Sequence, residues 1–157
     1  MADHPVLPPP SGANAATWGA VVDEVRAYCG WHIAPEVTET VTVDGNGSGV
    51  AVLPTLHLVD LDSITDDGTA VSDPEWSTFG VVERVWTRKR RGVVATITHG
   101  YEGWPSDLVA VMVDMSNAAG LGDVSQVTSG AHQVSYRPTA SSDRRAVLDR
   151  YRLVNIP

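Results

Sequence analysis

The feature that most constrains this chain is a hydrophobic period that changes twice. Trp18, Val21, Val22, Val25 and Cys29 recur at helical spacing, while Asp23, Glu24 and Arg26 fall off that stripe. Gly30 follows as a stop signal, and Tyr28-Cys29-Gly30-Trp31-His32-Ile33-Ala34-Pro35 leads into a segment whose apolar residues alternate instead. The alternating region ends in Thr98-His99-Gly100-Tyr101-Glu102-Gly103-Trp104-Pro105-Ser106-Asp107-Leu108, a strand delivered straight into a second helix. A helix, a long β-block and another helix make an α+β chain, with a small antiparallel sheet or sandwich inserted between helices of a short bundle.

The spacing predicts an extended tail over 1–13, a helix over 15–29, a β-block over 37–101 and a helix over 105–119. A strand or arm is predicted over 124–137 and a C-terminal helix over 142–154. Within the block, Val37, Val41 and Val43 alternate with Thr38, Thr40 and Thr42. The glycine-rich turn 44–49 is expected to return Val50 to Leu53 as the hairpin partner of that strand. Leu56, Leu58 and Leu61 suggest a further strand, Asp66-Asp67-Gly68 a turn, and Val81 to Thr87 a strand after Phe79-Gly80. Arg88-Lys89-Arg90-Arg91-Gly92 then reads as a basic turn before a last strand, Val93 to Thr98. Pro105 suits the first position of the second helix and Asp107 its positive dipole end; Leu108, Val109, Val111, Met112 and Met115 form its apolar face. Ser141 and Ser142 are good caps for the last helix, where arginines surround the short stripe Ala146, Val147, Leu148 and Tyr151.

A chain of 157 residues is expected to be one domain with a real core. No apolar run approaches the ~20 residues that span a bilayer, so no membrane partner is expected. Met1-Ala2-Asp3-His4-Pro5 lacks the basic start and apolar core of a signal peptide, and the single Cys29 allows no intrachain disulfide. Net charge is −8, unevenly spread. Through Glu83, thirteen acidic residues face one basic residue, Arg26; from Arg84 onward, ten basic face six acidic. Such acidity argues against a dedicated nucleic-acid binder. The asymmetry has two readings: solvated loops that happen to differ, or a bipolar subunit whose acidic block meets the basic part of a neighbour.

Chemical motifs are weak. Asp44-x-Asn46-x-Ser48-Gly49 resembles half a calcium loop, but Thr55 stands where a bidentate Glu is needed. Gly45, Gly47 and Gly49 precede a strand rather than the helix N-terminus that phosphate binding requires. Cys29 and His32, with His57, His99 and His132 dispersed, lack the paired spacing of a zinc site; His99 better suits a hydrogen-bonded anchor at the strand-to-helix junction. No GxSxG elbow occurs, and Asp60 and Asp62 sit in ordinary turn or strand context. No cofactor is expected. Arg88, Lys89, Arg90 and Arg91 form the one dense basic cluster, either a solvated hairpin tip, a contact with an acidic neighbour or an occasional contact with DNA phosphates; the thirteen acids upstream favour the neighbour. The five tryptophans are core or partly exposed packing residues, with one or two possible as interface anchors.

Four blocks, in this order, carry a resemblance: 26–35, Leu53-Pro54-Thr55-Leu56-His57-Leu58, Thr98 to Tyr101 with Pro105 to Leu108, and Arg145 to Arg152. The chain resembles the head-to-tail adaptor (connector) proteins of long-tailed bacteriophages, especially those of actinobacterial hosts. The resemblance implies a virion protein without catalysis, assembled in the host cytoplasm. It implies a homo-oligomeric ring, twelvefold to match the portal, that binds the portal protein, extends the DNA channel and receives the next connector (stopper) protein. It implies that DNA passes without sequence-specific binding. It places portal docking in the C-terminal segment, here Arg144, Arg145, Val147, Leu148, Arg150, Tyr151, Arg152 and Leu153. Arg88 to Arg91 are the candidate subunit interface. The alternatives are another connector, such as a stopper or tail-completion protein, and a small soluble enzyme.

Overall fold

The computed structural model describes residues 4–120, 127–129, 132–134 and 141–153. It is an α+β fold with a C-terminal helix. The chain divides into two compact units: Met1–Leu7, Gly30–Trp104 and Leu153–Pro157 form one, Pro8–Cys29 and Pro105–Arg152 the other.

The first unit holds two antiparallel sheets. One has four strands in the order β1 (Val37–Val43), β7 (Val93–His99), β3 (Leu58–Asp66), β4 (Thr69–Ala70); the other has β2 (Val50–Val52), β6 (Val81–Glu83), β5 (Glu75–Trp76). β7 is central because its sequence alternates cleanly: Val93, Ala95, Ile97 and His99 are buried, and Val94, Thr96 and Thr98 only half so. Ala51, Leu53, Leu58, Ile64, Val82 and Trp86 join the buried β7 residues in one apolar cluster, against which Val41, Val43, Leu61 and Val71 pack. Each fully buried Val, Leu or Ile of this cluster contributes on the order of 1.5–3 kcal/mol. On the opposite face, Thr38 and Thr98 hydroxyls meet at 2.7 Å and Thr40 and Thr96 at 3.1 Å, cross-strand pairs that fix the β1–β7 register.

That register corrects the expected hairpin. Val37–Val43 pairs with β7, 50 residues downstream of its own end at Val43↔Val93, whereas Val50–Val52 pairs with β6 in the other sheet. Burying Val41 against Ala95 and Val43 against Val93 decides the pairing, and a six-residue loop cannot impose a register as a two-residue turn does. The glycine loop instead lies along the basic segment: Gly45 N donates to Lys89 O at 3.0 Å and Gly47 N to Thr87 O at 3.1 Å. Arg88 to Arg91 is therefore no hairpin tip, since it links β6 of one sheet to β7 of the other. The strand expected over Val81 to Thr87 stops at Glu83, although Arg84 N and Trp86 N still donate to Gly49 O and Ser48 O. Trp86 turns inward there, its Nε1 donating to Val82 O at 3.1 Å. The Asp66-Asp67-Gly68 turn does join two strands, with Asp67 and Gly68 both left-handed at φ 49° and 82°.

The second unit contains α1 (Ala15–Cys29), α2 (Ser106–Gly120), the ribbon β8–β9 (Val127–Ser129, His132–Val134) and α3 (Ser141–Arg150). Asn14 caps α1: its Oδ1 accepts from Ala16 N at 3.0 Å, and its own N–H donates to Ser116 Oγ of α2 at 3.1 Å. Trp18, Val21, Val22, Val25 and Cys29 are buried on α1, and Leu108, Val111 and Met112 on α2. Arg26, expected off the stripe, is buried too. It lies one turn beyond Val22, at the border of the stripe, so its long stem is covered; burial lowers its pKa and Asp23 partly offsets that. Gly30, at φ 82°, ends the helix as the sequence indicated. α3 ends at Arg150, short of the expected 154, because Tyr151 N and Arg152 N fold back onto Leu148 O and Asp149 O. Of the arm expected over 124–137, only 127–129 and 132–134 lie within the described residues, as the two strands of the ribbon; residues 1–3 of the tail and 154 lie outside them.

Candidate assembly surfaces

α3 is tied to its own unit by polar anchors at its C-terminal end. Tyr151 Oη donates to Asp107 Oδ1 at 2.7 Å, and Arg150 reaches Asp107 Oδ2 at 3.4 Å. Tyr28 Oη donates to Asp149 Oδ1 at 2.5 Å, and the Arg152 guanidinium lies 5.4 Å from the Tyr28 ring centroid. Val147, Leu148 and Tyr151 are half-buried, as are Arg144 and Leu153. Arg145, Arg150 and Arg152 are exposed. The Arg145 guanidinium is held above its ordinary pKa by its hydrogen bond to Tyr28, and then by the charges of Tyr28 and Asp149. The eight C-terminal candidates thus divide into a half-buried set, Arg144, Val147, Leu148, Tyr151 and Leu153, and an exposed set, Arg145, Arg150 and Arg152. Asp107, placed by sequence only as a dipole partner for α2, is the acceptor that holds α3; no local signal links it to Tyr151, 44 residues away.

Arg88, Lys89, Arg90 and Arg91 are all exposed on a loop braced from both sides. Lys89 Nζ pairs with Asp67 Oδ1 at 2.5 Å, and Arg91 N donates to Asp44 Oδ1 at 2.7 Å. The Arg88 stem lies over Gly47, where a Cβ would collide with it. The side chains of Arg88, Arg90 and Arg91 form no ion pair among the described residues.

A third cluster surrounds His99, which is 1% exposed. Its Nε2 lies 3.0 Å from Glu39 Oε1, and His4 Nε2 lies 3.1 Å from Glu39 Oε2. The His4 and His32 rings lie 4.3 Å apart, tilted by 51°, and His32 bonds the Pro35 carbonyl. His57 Nδ1 lies 3.0 Å from Gly100 O, with its ring 4.1 Å from that of Tyr101. His99 is hydrogen-bonded, as expected, but to a carboxylate on β1 that only the β1–β7 register brings to it, rather than across the strand-to-helix junction. Burial pushes the His99 pKa down, and Glu39 only partly offsets it. Burial alone would raise the Glu39 carboxyl; the bonds and charges of His4 and His99 together bring it below its ordinary value. Among the described residues, no group of three His, Cys, Asp or Glu side chains is arranged to hold a metal ion. Cys29 is buried, its Sγ 3.7 Å from Leu148 O, and its pKa is pushed up to about 11 by burial and then by Asp149. It is an inert packing thiol.

No helix among the described residues is long and apolar enough to cross a membrane. No family model matches the chain, and no curated protein matches it. Solved structures do share its fold. A chain of the neck of a native GTA particle, computed with C12 symmetry, superposes with a TM-score of 0.62 at 14% identity, over 91% of this chain and 83% of that one. A chain of the neck of an empty GTA particle, computed with C6 symmetry, gives 0.58 at 13% identity, over 91% and 79%. The virion of a native gene transfer agent (GTA) particle gives 0.57 at 14% identity, over 91% and 78%. The chain has the fold of these neck and virion components.

Proposed function

We propose that this chain is a structural virion protein, a head-to-tail adaptor of a long-tailed phage of the actinobacteriophage type. Copies form a ring beneath the portal, join head to tail and continue the DNA channel. The observation that carries this reading is the fold shared, over nine-tenths of the chain, with components of particle necks computed with C12 and C6 symmetry. A twelvefold ring fits that symmetry, and unlike surfaces on each copy are what closes a ring. In this reading Arg88, Arg90 and Arg91 contribute to the lateral interface, with Lys89 retained by Asp67 to brace the loop. The C-terminal segment faces the portal: Arg145, Arg150 and Arg152 are its outermost groups, while Val147, Leu148 and Tyr151 seat the helix. The ring's other face receives a stopper protein, and an acidic chain lets the DNA polyanion slide rather than stick.

Electron microscopy of particles carrying a tagged chain tests this. A ring coaxial with, and directly against, the portal is the expected result. Density one layer further from the portal would make the chain a stopper or tail-completion protein, and absence from the neck would end the proposal.

A further inference from the structure

The outer face of the three-stranded sheet is open, and its chemistry identifies what covers it. Ala51 and Val82 are buried in the core, so strand alternation puts Val50, Val52, Val81 and Glu83 on the other side. Val50 is left 37% exposed, and Val85, just beyond the end of β6, 76%. Glu75 stands directly opposite Glu83 across β5 and β6, a like-charge pair that destabilises the isolated sheet. Beside them runs an open groove lined by residues 70–75 with Glu83 and Arg84, to which Asp73 adds a third carboxylate. Arg84 is the one cation lining it, and its guanidinium lies 5.8 Å from the Trp86 ring centroid. None of the three carboxylates has an ion-pair partner among the described residues. The same chain presents three arginines without ion pairs, Arg88, Arg90 and Arg91, on a loop held by Gly45, Gly47, Asp44 and Asp67.

We propose that this face receives the 88–91 loop of the next copy of the chain. The guanidinium groups neutralise Glu75, Glu83 and Asp73, and the arginine stems cover Val50 and Val85. The contact joins unlike surfaces, so it propagates from copy to copy and closes into a ring. It rests on the ring reading above, and names the acceptor surface that reading requires.

Two complementary variants test it. One carries Glu75→Arg and Glu83→Arg; the other carries Arg88→Glu, Arg90→Glu and Arg91→Glu. Either alone meets like charge at every contact, and its incorporation into particles should fall at least about tenfold. Supplied together they alternate around an even-numbered ring, and incorporation should return towards the wild-type level. Normal incorporation of either alone, or a mixture no better than its components, overturns the contact. The milder Glu75→Gln guards against misfolding: it should slightly raise the monomer's melting temperature while weakening assembly, whereas a lower melting temperature would overturn the like-charge argument. Should the wild-type chain be absent from necks, the adaptor reading fails, and sedimentation of the same chains at low ionic strength decides the contact. Association of wild type and of the mixture, but of neither variant alone, upholds it; any other pattern overturns it.

Discussion

His99 is the residue whose environment sets a pH limit on the fold. Its ring is buried with a lowered pKa, so the folded chain resists a proton that the unfolded chain accepts below the ordinary value of 6.5. Glu39 is likewise depressed, so the unfolded chain takes a proton below 4.5 while the folded carboxylate still refuses it. In both cases the unfolded state binds more protons as pH falls, so both effects remove stability on acidification. The first loss begins below 6.5 and belongs to His99; the second begins below 4.5 and belongs to Glu39. Denaturant titrations at several pH values should show stability declining in that order. His99→Gln should flatten the first decline, and an unchanged profile in that variant would assign the effect elsewhere. That His99 is hydrogen-bonded was legible from its place between a strand and a glycine. Its partner was not, because Glu39 is 60 residues away and only the sheet register joins them.

Among elements, those with a long unbroken period were readable. α1 and the alternating β7 have enough residues for one face to declare itself, and the α+β order follows from them. β4 and β5, of two residues each, have no period at all; pairing with β3 and with β6 creates them, one at the edge of each sheet. α3 is intermediate, a helix of ten residues too short to persist in water without a partner surface. Asp107 holds it through Tyr151 and Arg150. Asp107→Ala should therefore cost about 1–2 kcal/mol in a denaturant titration, mostly from the lost Tyr151 bond. The triple change Arg145→Gln, Arg150→Gln and Arg152→Gln should lower the melting temperature by no more than a few degrees, since exposed charges are screened by solvent. The same variant should bind portal-containing heads more weakly. Wild-type binding would remove the arginines from the portal contact, whatever the stability.

For the whole molecule, charge is where sequence order and three-dimensional grouping part. Along the chain the divide falls at Arg84, but the compact units divide it otherwise. The β-unit holds twelve acidic and five basic residues, and the helical unit seven and six. Every cation of the β-unit lies in the short span 84–91, against acids distributed over both sheets. The basic half of the proposed subunit contact was therefore visible as a run of adjacent letters. The acidic half was not, because Glu75 and Glu83 become neighbours only through the β5–β6 pairing. A contact built from such exposed groups is screened by salt, whereas the apolar cores within the units are not. Raising ionic strength from about 0.1 M to 1 M shortens the Debye length from ~10 Å to ~3 Å. Association between copies should weaken steeply over that range while the thermal unfolding midpoint of the single chain stays level or rises. Light scattering and calorimetry on the same samples read the two quantities. Association that strengthens with salt would mean that copies meet through apolar surface such as Trp76 and Phe79, which are 38% and 65% exposed, rather than through opposite charges.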